Sequence, residues 1–194
     1  MRLAIADPPY LGRAAVWYGD KMSFGQIGKN NGGTANITGP KPADNHPDAS
    51  DWDNPDRHEE LVHQLIDNYD GWVIAMAHDN LRDYIPMIPA RVPIKIIIWH
   101  KPQNMPGGGR VWNCYEPAIV RIPEGRRSSG GVGLQTKDIA TISRINNGFP
   151  GAKPAAWTRW VLEVMGYVPD EDEVDDLFSG SGAVSAELAQ GVLV

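Results

Sequence analysis

Apolar positions along this 194-residue chain switch between two spacings, and the switches mark out its elements. Short apolar runs bounded by turn residues predict strands, and apolar positions three and four apart predict helices. Residues 3–6 (LAIA) read as a short buried strand. A long polar stretch follows over residues 18–55, dense in Gly, Asn, Asp and Pro, including GKNNGGTANITGPKPADNHPDASDWDNP. Such a composition buries little, and loops of this length in compact domains are lids, binding loops or disordered segments. Residues 56–69 then read as a helix with Leu61, Leu65 and Ile66 on its apolar stripe and Val62 and Tyr69 beside it.

Residues 72–77 form the second predicted strand, and 81–88 a short helix interrupted by Pro86 and Pro89. IKIIIW at 94–99 is apolar enough for a central strand. After the turn at Gly107, Gly108 and Gly109, residues 116–122 make a fourth strand. Residues 126–148 read as a loop carrying a short helix at 138–145, and 153–165 as a helix with Trp157, Trp160, Val161 and Val164 inward. A fifth strand is expected at 174–178, a helix at 183–190, and the start of a sixth strand at 191–194. Strands alternating with helices call for an α/β sheet covered by helices on both faces, here as one domain over residues 1–194.

Composition fits that reading: 42% hydrophobic and 22% charged residues belong to the globular class. No apolar run is long enough to span a bilayer, and Asp7 interrupts the first one too early for a signal peptide. The single cysteine, Cys114, excludes an internal disulfide and suits a reducing, cytoplasmic setting. The five histidines show no metal spacing, so no metal is expected.

Charge changes the picture more. The net charge is −6, yet residues 91–160 hold 11 Lys/Arg against 3 Asp/Glu, while residues 161–194 hold none against 8. An acidic total conceals a basic middle third, which suits a polyanion or ordinary solubilisation. Arg121, Arg126, Arg127, Lys137 and Arg144 belong to it and are candidate phosphate contacts.

Two short motifs carry the candidate chemistry. The first strand ends in Asp7-Pro8-Pro9-Tyr10. Each proline ring fixes its own φ, and Pro9 holds Pro8 extended, so the exit from the strand is stiff. It presents the Asp7 carboxylate and the Pro8 carbonyl as two fixed acceptors. The second motif is Asp176-Leu177-Phe178-Ser179-Gly180-Ser181-Gly182, between a strand and a helix. Glycines there let a ligand approach the backbone closely. Taken alone, such a turn serves a structural strand–helix connection equally well, and it lacks the spacing of the dinucleotide and nucleotide-phosphate fingerprints.

Taken together, DPPY and DLFSGSG resemble the S-adenosylmethionine (SAM)-dependent amino-methyltransferases of DNA. They resemble in particular the subgroup whose catalytic motif comes first and whose cofactor motif, preceded by a Lys-Pro helix start, comes last. Lys153-Pro154, Trp99 to Lys101 and Tyr115 to Pro117 also look like that subgroup. The resemblance covers nearly the whole chain except the long loop. It implies a Rossmann-like methyltransferase sheet with circularly permuted motif order, shortened at its C-terminal edge, which a second copy or a partner chain would complete. Asp7, Pro8, Pro9 and Tyr10 would be catalytic. Asp176, Phe178, Ser179, Gly180, Ser181, Gly182 and Lys153 would bind SAM. The implied substrate is DNA, or RNA, with adenine N6 as the target and cytosine N4 as the nearest alternative. A non-catalytic relative that binds nucleic acid or cofactor is a further alternative. Leu177 stands where the family commonly has proline. No stretch looks like a separate target-recognition domain, which leaves that task to residues 18–55 and 126–148.

Overall fold

Six strands form one mixed sheet in the order β5-β3-β4-β2-β1-β6. The computed structural model describes residues 1–15, 48–102, 110–127, 135–145, 151–180 and 182–189. Most of the polar stretch at 18–55, the turn at 107–109, Ser181 and the strand expected at 191–194 lie outside them. The strands are β1 (Arg2–Ala6), β2 (Gly71–Ala75), β3 (Lys95–His100), β4 (Tyr115–Arg121), β5 (Ile139–Thr141) and β6 (Glu173–Asp176). β1 runs parallel to both β2 and β6. β4 runs antiparallel to β2 and β3, and β5 pairs in parallel with β3.

Side chains alternate across the sheet, and the alternation splits the core in two. Leu3, Ile5, Val73, Ala75, Ile97, Trp99, Ala118 and Val120 face one way. Helices α3 (Ala155–Met165) and α4 (Ala183–Ala189) cover them with Trp157, Val161, Leu162, Met165 and Val184. Ala4, Ala6, Trp72, Ile74 and Ile119 face the other way, under α1 (Pro55–Asn68) and α2 (Leu81–Met87) with Leu61, Val62, Leu65 and Tyr84. Helices therefore lie on both faces, as expected.

Local chemistry sets the helix limits. Asn54 caps α1 by accepting the Asp56 N–H at 3.0 Å, and Pro55 opens its first turn. Gly166, at φ 70°, ends α3, where the Gly166 and Tyr167 amides return to Glu163 and Leu162 carbonyls at 3.0 and 2.9 Å. Among the described residues, no helix is long and apolar enough to cross a membrane.

One expected element changes type. The helix anticipated at 138–145 is replaced by strand β5. The Ile98 amide donates to the Asp138 carbonyl at 2.8 Å, and the Ile142 amide to the His100 carbonyl at 3.0 Å. β-branched Ile139, Thr141 and Ile142 suit a strand, and β3 offers an edge to pair with.

Candidate functional site

The stiff exit from β1 and the glycine turn after β6 leave the sheet side by side. Ile5 pairs with Asp176, and the Leu177 amide donates to the Ile5 carbonyl at 3.0 Å. Two residues further on come Asp7 and Phe178, and Phe178 packs against the α1 and α2 face of the sheet. Asp7 lies on the α3 face. So does Asp176, whose carboxylate accepts the Ser185 hydroxyl of α4 at 3.2 Å.

Asp7 belongs to a network of charges. The Lys153 ammonium donates to both Asp7 oxygens, at 2.7 and 2.8 Å, and lies 3.0 Å from the Tyr10 hydroxyl. Tyr10 in turn donates to Glu116 Oε2 at 3.1 Å. The second Glu116 oxygen takes a salt bridge from Lys101, and Lys153 approaches Glu116 Oε2 to 3.6 Å. Two carboxylates and two ammonium groups thus balance, which is what makes so much charge tolerable at low exposure. Three aromatic rings surround the Lys153 ammonium as well: Tyr10 at 5.4 Å, Trp157 at 5.6 Å and Trp99 at 6.0 Å.

The network tunes its acids differently. Burial pushes the Asp7 carboxyl up, Lys153 pulls against it, and the charges of Glu116 and Asp176 add to the rise. Burial would also raise Glu116, but Lys153 and Lys101 together hold it below the usual carboxylate range. Burial raises Asp176, against its bond from Ser185. Lys101 is lowered by burial, opposed by Glu116.

Asp7, Tyr10, Lys101, Glu116 and Lys153 line a cavity of about 220 Å³, with Arg13, Ala77, His78, Asn113, Tyr115 and Gly151 completing the wall. The volume admits one small planar molecule. Arg13 is fixed on the rim by a two-pronged bond to Asp79 at 2.9 and 2.8 Å. The segment after Tyr10 is pinned too: Asp53 accepts the Ala14 and Ala15 amides at 2.9 and 3.0 Å.

The second motif presents a different surface. Gly180 and Gly182 adopt φ 31° and 72°, values that side-chain-bearing residues rarely take. A Cβ on Gly182 would meet nothing within 4 Å, so the backbone there faces open space. Asp176 offers a half-buried carboxylate suited to an ammonium, and Phe178 a half-buried ring suited to a heterocycle. This donor set fits the methionine and adenosine parts of SAM. Phe178 packs edge-on against Trp52, with ring centroids 4.9 Å apart.

Trp52 is itself held by a buried histidine. His58 Nε2 lies 2.7 Å from the Trp52 carbonyl and Nδ1 2.6 Å from the Tyr84 hydroxyl. A carbonyl only accepts, so Nε2 carries the proton and Nδ1 accepts from Tyr84. Burial holds His58 below its ordinary 6.5. A folded value below the unfolded one gives stability present above pH 6.5 and lost as pH falls through the lowered value. The unfolding free energy should therefore drop between pH 7 and pH 5, by up to about 1.4 kcal/mol per pH unit, and the thermal midpoint should fall with it. His58→Gln should flatten that slope, and an equal slope in the variant would remove His58 as its source.

The expected site residues divide. Asp7, Tyr10 and Lys153 meet in one cluster. Asp176, Phe178, Ser179, Gly180 and Gly182 lie beside it on the neighbouring strand and turn. The Lys153 ammonium, expected beside the polar end of the cofactor, sits on Asp7 and Tyr10. Of the five basic residues proposed for phosphate contact, Arg121, Arg126 and Arg127 lie at the opposite edge of the sheet. β4 starts at the site with Tyr115 and Glu116 and runs away from it, so Arg121 ends level with Trp72 at the start of β2. Arg121 donates to the Ile66 carbonyl, Arg126 pairs with Glu171 and Asp172, and Arg127 donates to the Ile122 carbonyl. Lys137 precedes β5 and lies at that far edge too. Arg144 follows β5 on the site side, where its charge reaches Lys101. Glu116, Lys101 and Arg13 were not among the expected site residues. Trp99 to Lys101 and Tyr115 to Pro117 carried the available signal.

No family model matches the chain, and no curated protein does. Among solved structures, the crystal structure of the M1.HpyAVI–SAM complex matches with a TM-score of 0.50 and 14% identity, over 68% of this chain and 71% of that one. The two chains share a fold.

Proposed function

We propose that this chain is a SAM-dependent methyltransferase acting on the exocyclic N6 of adenine in DNA. One observation carries the reading: the DPPY exit and the glycine turn leave hydrogen-bonded, parallel neighbours at the same edge of the sheet. On this reading, residues 169 positions apart would become two walls of one site. Ligands of open α/β sheets bind at such carboxyl ends of strands.

When bound, SAM supplies an electrophilic methyl group on a sulfonium. Asp176, Phe178, Ser179, Gly180, Ser181 and Gly182 would hold it. The Asp7 carboxylate and the Pro8 carbonyl would accept the two N–H groups of the target amine. That bond pattern orients the nitrogen and favours its nucleophilic form. Pro9 keeps the acceptors stiff, and Asp7 would take or relay the proton released by the product. Tyr10 would stack on a base flipped out of the duplex, at a cost of a few kcal/mol. The roughly 220 Å³ cavity suits one such base. Arg144, on the site side, is the best placed of the basic residues for a phosphate. Aspartate in the first motif position favours adenine over cytosine.

A binding module without turnover is favoured by one observation: Lys153 engages both oxygens of Asp7. The deciding experiment incubates the protein with labelled SAM and DNA, digests the DNA and identifies the labelled nucleoside. N6-methyladenine is expected. N4-methylcytosine would move the target to cytosine, and retained SAM binding without transfer would establish the module.

A further inference from the structure

The Asp7 carboxylate that should receive the target amine is already engaged on both oxygens by a buried ammonium. An amine acquiring a methyl group develops positive charge, and a cation on the same carboxylate opposes it. The neighbourhood supplies a second place for that cation. Glu116 Oε2 is 3.6 Å from Lys153 Nζ, close enough that a rotation about the end of the lysine chain closes the gap. Glu116 is held ready from both sides, by the Lys101 ammonium on one oxygen and the Tyr10 hydroxyl on the other. Tyr10 touches both the alternative seat and the ammonium, since its oxygen also lies 3.0 Å from Lys153.

We infer that Glu116 is a positioning residue: it is the alternative seat for the Lys153 ammonium, and drawing that ammonium away opens Asp7 to the target amine. No bond is made or broken in this step, and the proton stays on Lys153. The charge of the cluster is unchanged, because the ammonium passes from one carboxylate to another. The ammonium alternates between the two carboxylates without substrate, and substrate entry completes the exchange, as the amine N–H takes the place of the lysine N–H on Asp7. The inference rests on the proposed methyl transfer for its purpose, but the seat exchange itself is a property of the unliganded protein.

The test therefore has two arms. The first needs no activity. Asp7 is titrated by carboxyl NMR in the wild type, Glu116→Gln, Lys153→Met and the double variant. The groups acting on Asp7 are Lys153, Glu116, Asp176 and Tyr84; Lys101 and Tyr10 act on Glu116, and Arg144 acts on Lys101. With Glu116 neutral, Lys153 has one carboxylate left, so the Asp7 midpoint should fall by about one pH unit. In the Lys153→Met background the same change should move it by less than half as much. Glu116 also raises Asp7 directly by its charge, and that part persists in both backgrounds; an equal shift in both would overturn the inference, because the direct charge would then account for all of it.

The second arm reads turnover. Glu116→Gln should lower kcat about tenfold or more, with SAM affinity unchanged and Glu116→Asp restoring most of the loss. With Lys153→Met there is no ammonium to withdraw, and Glu116→Gln should cost under about twofold. Equal losses in the two backgrounds would overturn the inference. A wild type without transfer refutes the proposed function alone, and the titration still decides the seat exchange.

Discussion

Replacing Asp7 with alanine should lower methyl transfer by about a thousandfold or more, while thermal stability and SAM binding stay near those of the wild type. The size follows from what the side chain provides. It is one of two fixed acceptors for the amine, and no other described carboxylate reaches its position. Glu116 lies across the cavity with both oxygens engaged. Stability should survive because Lys153 is not orphaned by the loss. It keeps the Tyr10 hydroxyl at 3.0 Å, the Gly151 carbonyl at 3.3 Å and Glu116 at 3.6 Å. A buried cation left without partners would cost several kcal/mol; one that keeps three should cost about 1 kcal/mol. Labelled-SAM turnover and a melting curve measure both effects. Turnover within tenfold of the wild type would remove Asp7 from the chemistry.

The same arrangement explains why a lysine can be buried here at all. Lys153 is 4% exposed. Its desolvation is offset by two carboxylates and by the faces of three aromatic rings. Trp99 serves two lysines, since the Lys101 ammonium lies 4.5 Å over the same ring. The Trp99 indole is anchored by donating to the Ile142 carbonyl at 2.8 Å. The W-x-K spacing in β3 therefore has a physical basis: an inward ring, with a cation two residues later returning over it to meet Glu116.

How much of this was readable in advance depends on the range of each interaction. The buried strands were, because LAIA, WVIA and the IIIW of β3 are short apolar runs with no helical spacing. Helix α1 was, because its stripe and its Gly71 boundary are local. The segment at 138–145 misled because Ile139, Ile142 and Ile145 are three apart, a helical spacing, while the deciding partner is the β3 edge some forty residues away. Strand direction is equally non-local. Nothing in YEPAIVR says that it runs against β2, yet that reversal places Glu116 in the site and sends Arg121 to the far edge. The resemblance to the methyltransferases anticipated a sheet with one motif at each end of the chain, and β1 and β6 pair directly. It did not anticipate Lys153 on Asp7, a contact across 146 residues. The Lys-Pro pair marks where α3 begins and carries no information about where the ammonium ends.

Replacing Trp157 with alanine should give the largest loss of stability in this fold, about 3–5 kcal/mol, with an effect on the site as well. Trp157 is 1% exposed in the first turn of α3 and packs in the cluster with Leu3, Ile5, Val73, Ala75 and Trp99. Truncation would remove packing between α3 and the core face to which β1, the strand that ends at Asp7, contributes Leu3 and Ile5. Domains of this size are stable by about 5–15 kcal/mol, so the loss is a large fraction of the total. It would also remove one ring from beside the Lys153 ammonium. Trp157→Phe separates the two consequences. A phenyl ring retains most of the packing and should cost about 1–2 kcal/mol, while still offering a face to the cation. Urea denaturation of both variants, followed by Asp7 titration in the phenylalanine variant, tests the assignment. The phenylalanine variant should leave the Asp7 midpoint within about half a pH unit of the wild type, because the Lys153–Asp7 pair stays in place. An alanine variant costing under about 1 kcal/mol would show that α3 is held by its other contacts, Val161, Leu162 and Met165, and that Trp157 serves the site alone.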